Sequence, residues 1–199
     1  MGVIIDENLS FKYHVESISN TISRNIGILY KLKYFIPKSI LRCIYCSIIL
    51  PFLSYGILAW GNTHNIYLDK LLKLQKKAVR NITNSSFRSH STPLFKGLKL
   101  LRICDIYLLN LGKFMYRHYV GSLPNSFIRY FLKRHHFHDH RTRNNDDYQT
   151  IKSKTVFSSK GVRSSGPIFW NKLSSDVKQS KSLNNFNFKL KTSFIISYG

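Results

Sequence analysis

Segment 65–82 constrains the fold most, because one side of it is apolar and four cations lie together on the opposite side. At about 100° per residue, the apolar side collects aliphatic residues together with Gln75. This pattern predicts an amphipathic helix whose apolar side packs in a core. The apolar side consists of Leu68, Leu71, Leu72, Gln75, Ala78, Val79 and Ile82. The opposite side, called the basic face below, consists of Lys70, Lys73, Lys77 and Arg80, with Lys76 at its edge.

Two further helices are expected before this segment. The first follows Ser10, its expected N-cap, and ends before Pro37, since the residue before a proline disfavours helical geometry. The second is nearly uncharged and spans about 38–60, with a kink at Pro51 and a stop at Gly61. The apolar positions of the first helix lie three or four residues apart, at Val15, Ile18, Ile22, Ile26 and Leu29.

The remainder of the chain also predicts mainly helix. Helices are expected over 103–119, 124–133 and 182–196, and Gly121 ends the first of these. A short element is also expected to begin at Pro93-Leu94-Phe95. Short strands are expected at Gly2-Val3-Ile4-Ile5-Asp6 and at Thr155-Val156-Phe157. The fold class is therefore mainly α: a helical bundle, a second small helical region and a basic, loop-rich connector. The expected divisions are 1–9, a remnant strand; 10–82, the bundle; 83–133, the second helical region; 134–165, the connector; and 166–199, a small apolar and helical segment.

The charge balance sets the class of partner. The chain has 31 Lys and Arg against 9 Asp and Glu, a formal net charge of +22. A hydrophobic content of 43% excludes global disorder, which requires low hydrophobicity together with high charge. A polyanion would relieve the self-repulsion, so nucleic acid or an anionic membrane surface is the expected partner. Composition does not indicate a reaction.

Segment 43–60 is uncharged, so its sequence fits either a membrane span or a buried helix. Pro51 and Gly56 interrupt this stretch, so we favour the buried helix. Three cysteines cannot form a fully paired disulfide framework, and no secretory signal opens the chain, so an intracellular location in nucleus or cytoplasm is expected. Cys43 and Cys46 have redox spacing, but we interpret them as core cysteines.

Candidates for metal or acid–base chemistry are weak. The histidine tract His135, His136, His138 and His140 with Asp139 lies in one segment whose composition predicts a loop, whereas zinc sites need rigidly held ligands. Asp146-Asp147 is the only pair of adjacent aspartates, and we interpret it as two solvated acids. No metal site is expected.

An aromatic cluster near residue 34 has two interpretations. Its members could stack nucleic-acid bases while neighbouring lysines contact phosphates, or they could seal the end of a small core. We favour the core. The residues are Tyr30, Tyr34 and Phe35, interleaved with Lys31, Lys33 and Lys38.

Short motifs follow one another along nearly the whole chain, and together they resemble the C-terminal part of reverse transcriptases from non-LTR retrotransposons of the jockey-like or LINE kind. Gly2-Val3-Ile4-Ile5-Asp6, Leu9-Ser10-Phe11 and His14 match that family's LGV-x-ID…LSW…H block. Ser174, Asn187 and Met1 depart from the pattern, which has Pro, Lys and Leu there. The further matches are Tyr45, Pro51, Leu53, Tyr55-Gly56 and Trp60-Gly61 with LYxxLIxPxLxYGxxxWG; Leu74-Gln75-Lys76-Lys77-Ala78-Val79-Arg80 with LQKKAxR; Pro93-Leu94-Phe95 with PLF; His140-Arg141-Thr142-Arg143 with H…TR; Trp170-Asn171-Lys172-Leu173 with WNxLP; and Phe186 with Leu190-Lys191 with FKxxLK.

The resemblance implies the thumb and post-thumb region of an RNA-directed DNA polymerase. In that family the thumb grips the template–primer duplex by its backbone, which implies RNA and DNA as partners and no small-molecule substrate. The parent enzyme uses Mg at palm aspartates in an aromatic-x-Asp-Asp hairpin, N-terminal to the block that begins at Gly2. No catalysis and no cofactor are therefore expected for this chain. The implied binding residues are Lys70, Lys73, Lys76, Lys77, Arg80, Arg134, Arg141 and Arg143.

Because Met1 falls inside a motif, we expect a truncated remnant of a longer element. Two alternatives stay open. One is a cationic helical protein that lies on anionic membranes through its basic helix and the apolar 40–60 segment. The other is a decayed reading frame without function.

Overall fold

The computed structural model describes residues 2–127, 129–133 and 147–198. Within these ranges the chain forms eleven α-helices and no sheet, which confirms the mainly α prediction. Regular structure in the same ranges also includes one 3-10 turn, Asn125–Phe127, and an isolated antiparallel bridge between Lys133 and Tyr148. The helices are α1 (Lys12–Leu32), α2 (Lys38–Ile48), α3 (Leu50–Ser54), α4 (Ile57–Trp60), α5 (Asn65–Thr83), α6 (Ser91–Leu98), α7 (Ile103–Tyr119), α8 (Val156–Lys160), α9 (Val162–Asn171), α10 (Ser175–Lys178) and α11 (Leu183–Ile196).

The chain divides into two compact units. Unit 1 comprises Met1–Tyr107 and Thr192–Gly199, and unit 2 comprises Leu108–Lys191. In unit 1, α1 packs against α5, α2 and α3, and α5 packs against α2 and α6. The five apolar positions predicted for the first helix are all buried, as expected for the core side of an amphipathic helix.

The start of α1 differs from the prediction. Ser10 is not the N-cap; the helix begins at Lys12, and Phe11 precedes it with φ of 56°. The Asp6 carboxylate accepts hydrogen bonds from the backbone N–H groups of Ser10 (2.9 Å) and Phe11 (2.7 Å). A carboxylate can satisfy free donors at a helix start from outside the helix, and the helix here begins one residue later than expected.

Residues 2–6 form no strand, so that prediction was wrong. A strand needs a partner for its ladder of hydrogen bonds, and none of the described residues provides one. The Ile4 N–H instead donates to Nδ1 of His14 at 3.4 Å. His14 is buried with its ring edge against Trp60, at a centroid distance of 5.3 Å.

The expected helix over 38–60 is divided into α2, α3 and α4. Pro51 has no N–H to donate to the preceding turn, and the helix breaks just before it at Ile49, which has φ of −117°. Gly56 then adopts φ of 60°, a left-handed conformation that glycine accepts at low cost. Gly61 stops α4 as predicted, and a Cβ there would lie 2.6 Å from the backbone oxygen of Ile57.

A fully buried amide organises the centre of unit 1. Nε2 of Gln75 donates to the hydroxyl of Tyr45 (2.9 Å) and to the carbonyl of Leu101 (3.2 Å). Its Oε1 accepts from the backbone N–H of Ile103 at 2.8 Å. Both Gln75 and Tyr45 have no exposed surface, so these bonds form without competition from water. They join α2, α5 and the start of α7.

Residues 192–198 belong to unit 1 through Tyr198. Its hydroxyl accepts from the backbone N–H of Arg102 (3.0 Å) and donates to the carboxylate of Asp105. The guanidinium of Arg102 lies 4.4 Å from the centroid of the Tyr198 ring. These contacts attach the end of the chain to the first turn of α7.

Stacked aromatic rings form the core of unit 2. Phe186 stacks on Tyr116 at a centroid distance of 4.7 Å and on Trp170 at 5.9 Å. The hydroxyl of Tyr116 donates to the carbonyl of Ser180 at 2.6 Å. A Cβ on Gly112 would lie 2.7 Å from Cδ2 of Leu190, so the absence of a side chain permits this close packing.

Two local predictions in unit 2 were wrong. Segment 124–133 is not a helix: Phe131 is buried beside Tyr148, and the N–H of Gln149 donates to the carbonyl of Leu132 at 2.8 Å. These contacts between distant residues hold the end of the segment against residues 148 and 149, and its beginning forms the 3-10 turn Asn125–Phe127. Thr155-Val156-Phe157 is not a strand, because the hydroxyl of Thr155 caps α8 by accepting from the N–H of Ser158 at 3.1 Å. The helices expected over 103–119 and 182–196 are confirmed as α7 and α11.

Replacing Gln75 by Leu should lower the free energy of unfolding by about 2–4 kcal/mol, because it leaves buried backbone groups of Leu101 and Ile103 unpaired. Tyr45→Phe, which removes one partner only, should cost about 1–2 kcal/mol. Urea unfolding followed by circular dichroism measures both, with an unchanged m-value as the check on two-state behaviour. Equal stability of Gln75→Leu and the wild type would contradict the structural role of the amide.

Burial lowers the pKa of His14 below its ordinary value. Nδ1 accepts the Ile4 N–H, so the neutral ring carries its proton on Nε2, which is buried without a partner. The unfolded chain therefore binds a proton more tightly than the folded chain, and stability should fall as pH drops through about 6.5.

Thermal melts between about pH 5 and pH 7.5 should show a smaller loss of stability on acidification for His14→Phe than for the wild type. His90→Gln removes an exposed histidine and is the matched control, with a wild-type profile expected. Identical profiles for His14→Phe and the wild type would show that His14 does not contribute to acid sensitivity.

Candidate nucleic-acid interface

Helix α5 separates core-forming and charged residues as its sequence predicts. Leu71, Ala78 and Val79 have no exposed surface and face the core of unit 1. Lys70, Lys73 and Lys77 are exposed, and Lys76 at the edge of the basic face is half-buried. The exposed lysines follow one another three and four residues apart, which places them on one side of the helix.

Arg80 differs from the lysines of the basic face. Its Nε and Nη2 both donate to the carbonyl of Ser89, at 3.0 and 2.9 Å, and the guanidinium lies 5.8 Å from the centroid of the Phe87 ring. Arg80 therefore closes the loop between α5 and α6. The helical pattern alone did not indicate this contact, which lies nine residues along the chain.

Acidic residues do little to compensate the charge of the basic face. Asp69 is adjacent and exposed. Among the described residues, ion pairs join Lys178 to Asp147 at 3.6 Å and Lys189 to Asp176 at 2.6 Å, and both lie in unit 2. Neither involves the basic face. Three exposed ammonium groups near one another repel modestly, and an anion contacting all three would relieve that repulsion.

The aromatic residues near the end of α1 are exposed, so the prediction that they seal the core was wrong. Tyr30 is 53% exposed, Tyr34 65% and Phe35 84%. The last buried residue of α1 is Leu29 and the first of α2 is Leu41, so the turn between them lies beyond the core. The Nζ of Lys33 lies 4.7 Å from the ring centroids of both tyrosines. These four residues are called the aromatic turn below.

Several predicted residues lie outside the described ranges. They are Arg134, Arg141 and Arg143, the histidine tract His135, His136, His138 and His140 with Asp139, and Asp146. Asp147 is described and pairs with Lys178. No group of three or more His, Cys, Asp or Glu in the described ranges could hold a metal ion.

Cys43 is exposed and Cys46 half-buried, so the interpretation as core cysteines was wrong for Cys43. Helix α2 presents only Leu41 and Tyr45 as buried residues, and Cys43 lies between them in sequence and on another side. No helix among the described residues is long and apolar enough to cross a membrane.

Unit 2 contains a group of cations that was not predicted from the sequence. Burial, together with the charges of Arg117 and Lys191, lowers the pKa of Lys113. Lys113 and Arg117 lie four residues apart in α7, and this spacing is the signal that could have indicated them. Lys191 comes from α11, and no sequence pattern joins it to the other two.

Comparisons with known proteins point to mobile elements. The chain is 26% identical over 157 residues to the RNA-directed DNA polymerase from mobile element jockey of Drosophila melanogaster, covering 70% of this chain and 17% of that protein. It is 29% identical over 108 residues to the probable RNA-directed DNA polymerase from transposon X-element of the same species, covering 53% of this chain and 12% of that protein. A jockey polymerase of Drosophila funebris is 29% identical over 132 residues, covering 65% of this chain and 14% of that protein.

The chain thus spans less than a fifth of the length of these curated relatives. No family model matches it. No solved structure matches it significantly. The similarity nevertheless covers between 53% and 70% of this chain. The chain is similar to part of the RNA-directed DNA polymerases of jockey-like non-LTR retrotransposons, which confirms the resemblance that its motifs indicate.

Proposed function

We propose that this chain, which is similar to part of RNA-directed DNA polymerases, binds the backbone of RNA and DNA without sequence preference. One observation carries the proposal: Lys70, Lys73 and Lys77 are exposed on one side of a helix whose opposite side is fixed in the core. The net charge of +22 supports it, because nucleic acid supplies the counter-charge. The expected partner is a template–primer duplex, by analogy with the relatives named above.

The spacing of the lysines suits phosphates. Seven residues separate Lys70 from Lys77, which is about 10 Å along a helix axis. Duplex DNA carries one phosphate charge per about 1.7 Å of its axis, so three phosphates are within reach of three lysines. Lysine is a flexible point charge that contacts phosphates readily and carries little sequence information. We therefore expect contacts along the backbone without base readout.

The proposed function does not include polymerisation of nucleotides by this chain on its own. Template-directed polymerisation needs carboxylates that hold two metal ions, and the parent enzyme uses Mg in this way. The paired carboxylates of this chain do not resemble such a site, because Asp147 forms an ion pair with Lys178 at 3.6 Å and Asn144 stands where the motif has an aromatic residue. No cofactor and no small-molecule substrate are proposed.

Replacing Lys70, Lys73 and Lys77 together by Gln should weaken duplex binding and reduce its dependence on salt. If each lysine contacts one phosphate, the log–log slope of affinity against salt should shrink by about 2.7. Folding should be unchanged, since Gln is a good helix former and like-charge repulsion is removed. Fluorescence anisotropy with a random-sequence duplex, at several salt concentrations, measures the slope.

Leu71→Ala is the converse control for this variant. The residue is fully buried, so its truncation should cost about 2–5 kcal/mol of stability and weaken binding only through unfolding. Arg80 is left intact, because it holds the loop at Ser89. A wild-type slope in the well-folded triple variant would show that the basic face is not the binding surface. The membrane-surface alternative would be favoured if the wild type binds no duplex but floats with anionic vesicles, and if the triple Gln variant no longer floats with them.

Primer extension on an RNA template should give no product above the buffer level, with either Mg²⁺ or Mn²⁺ present. The reason is that the aromatic-x-Asp-Asp block does not occur in the sequence. Polyacrylamide gel analysis of a labelled primer measures the outcome. Extension that disappears in an Asp146→Asn, Asp147→Asn double variant would contradict the proposal and would place an active site at these carboxylates.

A further inference from the structure

The aromatic turn presents apolar ring surface to solvent at a fixed place. Phe35 is 84% exposed, and Tyr34 is 65% exposed. Hydrogen bonds hold the backbone of the turn: Lys33 N–H donates to Leu29 O at 3.0 Å, and the N–H groups of Phe35 and Ile36 both donate to Leu32 O at 3.0 and 3.1 Å. Pro37 then precedes α2 as its N-cap, with a φ of −60° that its ring restricts. The rings therefore project from a backbone that is already ordered.

One lysine organises the two tyrosines of the turn. The rings of Tyr30 and Tyr34 meet edge to face at a centroid distance of 6.4 Å, and Nζ of Lys33 lies 4.7 Å from each centroid. A cation over aromatic faces is attracted by their quadrupoles. This contact orders both rings, and it leaves the face of Phe35 uncovered.

The charge around the turn indicates an anionic partner. Lys31 and Lys38 flank it and are exposed, and no acidic residue occurs between Glu16 and Asp69. A second copy of this chain would bring another net charge of +22 to the surface, which disfavours self-association here. Insertion into a lipid surface would bury the ammonium of Lys33 between its two rings. A partner with flat apolar faces and closely spaced negative charges fits both features.

We propose that the aromatic turn is a stacking platform for the unpaired bases of single-stranded nucleic acid. Tyr34 and Phe35 contact the bases, and the exposed ammonium groups of Lys31 and Lys38 contact the adjacent phosphates. Base–aromatic stacking is tolerant of sequence because every base has a π face. The site is separate from the basic face in sequence and lies on other helices. The proposal rests on the proposed function only in that both surfaces bind nucleic acid.

The test compares two single strands of about ten nucleotides, one with bases and one abasic at every position, so that both carry the same phosphates. The wild type should bind the base-bearing strand more tightly, by about fivefold to 150-fold for each stacked base. Tyr34→Ala with Phe35→Ala should remove this preference and leave affinity for the abasic strand and for duplex unchanged. Phe188→Ala, which truncates a phenylalanine that is 70% exposed in unit 2, is the matched control and should keep the preference.

A fluorescent reporter locates the contact. The two native tryptophans, Trp60 and Trp170, are 0% and 2% exposed, so Phe35→Trp adds an indole whose emission is that of an exposed ring. The base-bearing strand should quench this emission, and the abasic strand should not. Quenching by neither strand, or a preference for bases that survives Tyr34→Ala with Phe35→Ala, would overturn the proposal.

The same measurements separate this proposal from the proposed function. If the wild type binds duplex with the expected salt dependence but shows no preference for base-bearing strands, the stacking platform alone is overturned. Absence of binding to every nucleic acid overturns both. Loss of self-association in sedimentation, or of vesicle binding, on truncation of the two rings would identify another occupant and would also overturn the proposal.

Discussion

The buried side chain of Gln75 is the interaction on which unit 1 depends. Its amide satisfies a hydroxyl on α2, a carbonyl before α7 and the first N–H of α7, all within surroundings closed to water. Only one orientation of the amide pairs its oxygen with the N–H of Ile103 and its nitrogen with the carbonyl of Leu101. A purely apolar side chain could fill the same volume, but it would leave these groups unpaired. Gln75 therefore holds α2, α5 and the start of α7 together and also fixes their relative positions.

This arrangement explains how a strongly basic chain keeps a helix with a cationic side. Burial of Leu71, Ala78 and Val79 together with the Gln75 hydrogen bonds fixes α5 from within. The exposed lysines then need no acidic partners to hold the helix in place, and the described ion pairs lie elsewhere. Surface pairs contribute little to stability in any case. The positive charge is consequently available to a partner, and its removal should leave the fold intact.

Periodicity predicted the parts of the fold that depend on one helix at a time. The buried side of α1, the two sides of α5 and the bounds of α7 follow from apolar residues three and four positions apart. Gln75 could be placed in the core by the same pattern, but its three partners could not, since they come from other segments. The binding role of the lysines stays a prediction.

Contacts between distant residues explain most of the errors. The contact of Phe131 with Tyr148, which is distant in sequence, overrides the helical pattern of segment 124–133. The Asp6 carboxylate accepts hydrogen bonds at the start of α1 from outside the helix. Arg80 looks like a free charge on a helical wheel because the wheel does not include Ser89. The exposure of Phe35 depends on where the core ends, which no local pattern reports.

Gly61 has a consequence for how this sequence would change over generations without selection. Any substitution there adds a Cβ within 2.6 Å of the Ile57 carbonyl oxygen and 2.8 Å of the Tyr107 ring, whereas a lysine on the surface of α5 can change with little effect on folding. Random substitution at this crowded position would therefore destabilise the fold, whereas substitution of an exposed lysine of α5 would change the charge alone. Related sequences that retain this glycine while losing the surface lysines would indicate selection for the fold alone, and related sequences that retain both would indicate selection for the charged surface as well.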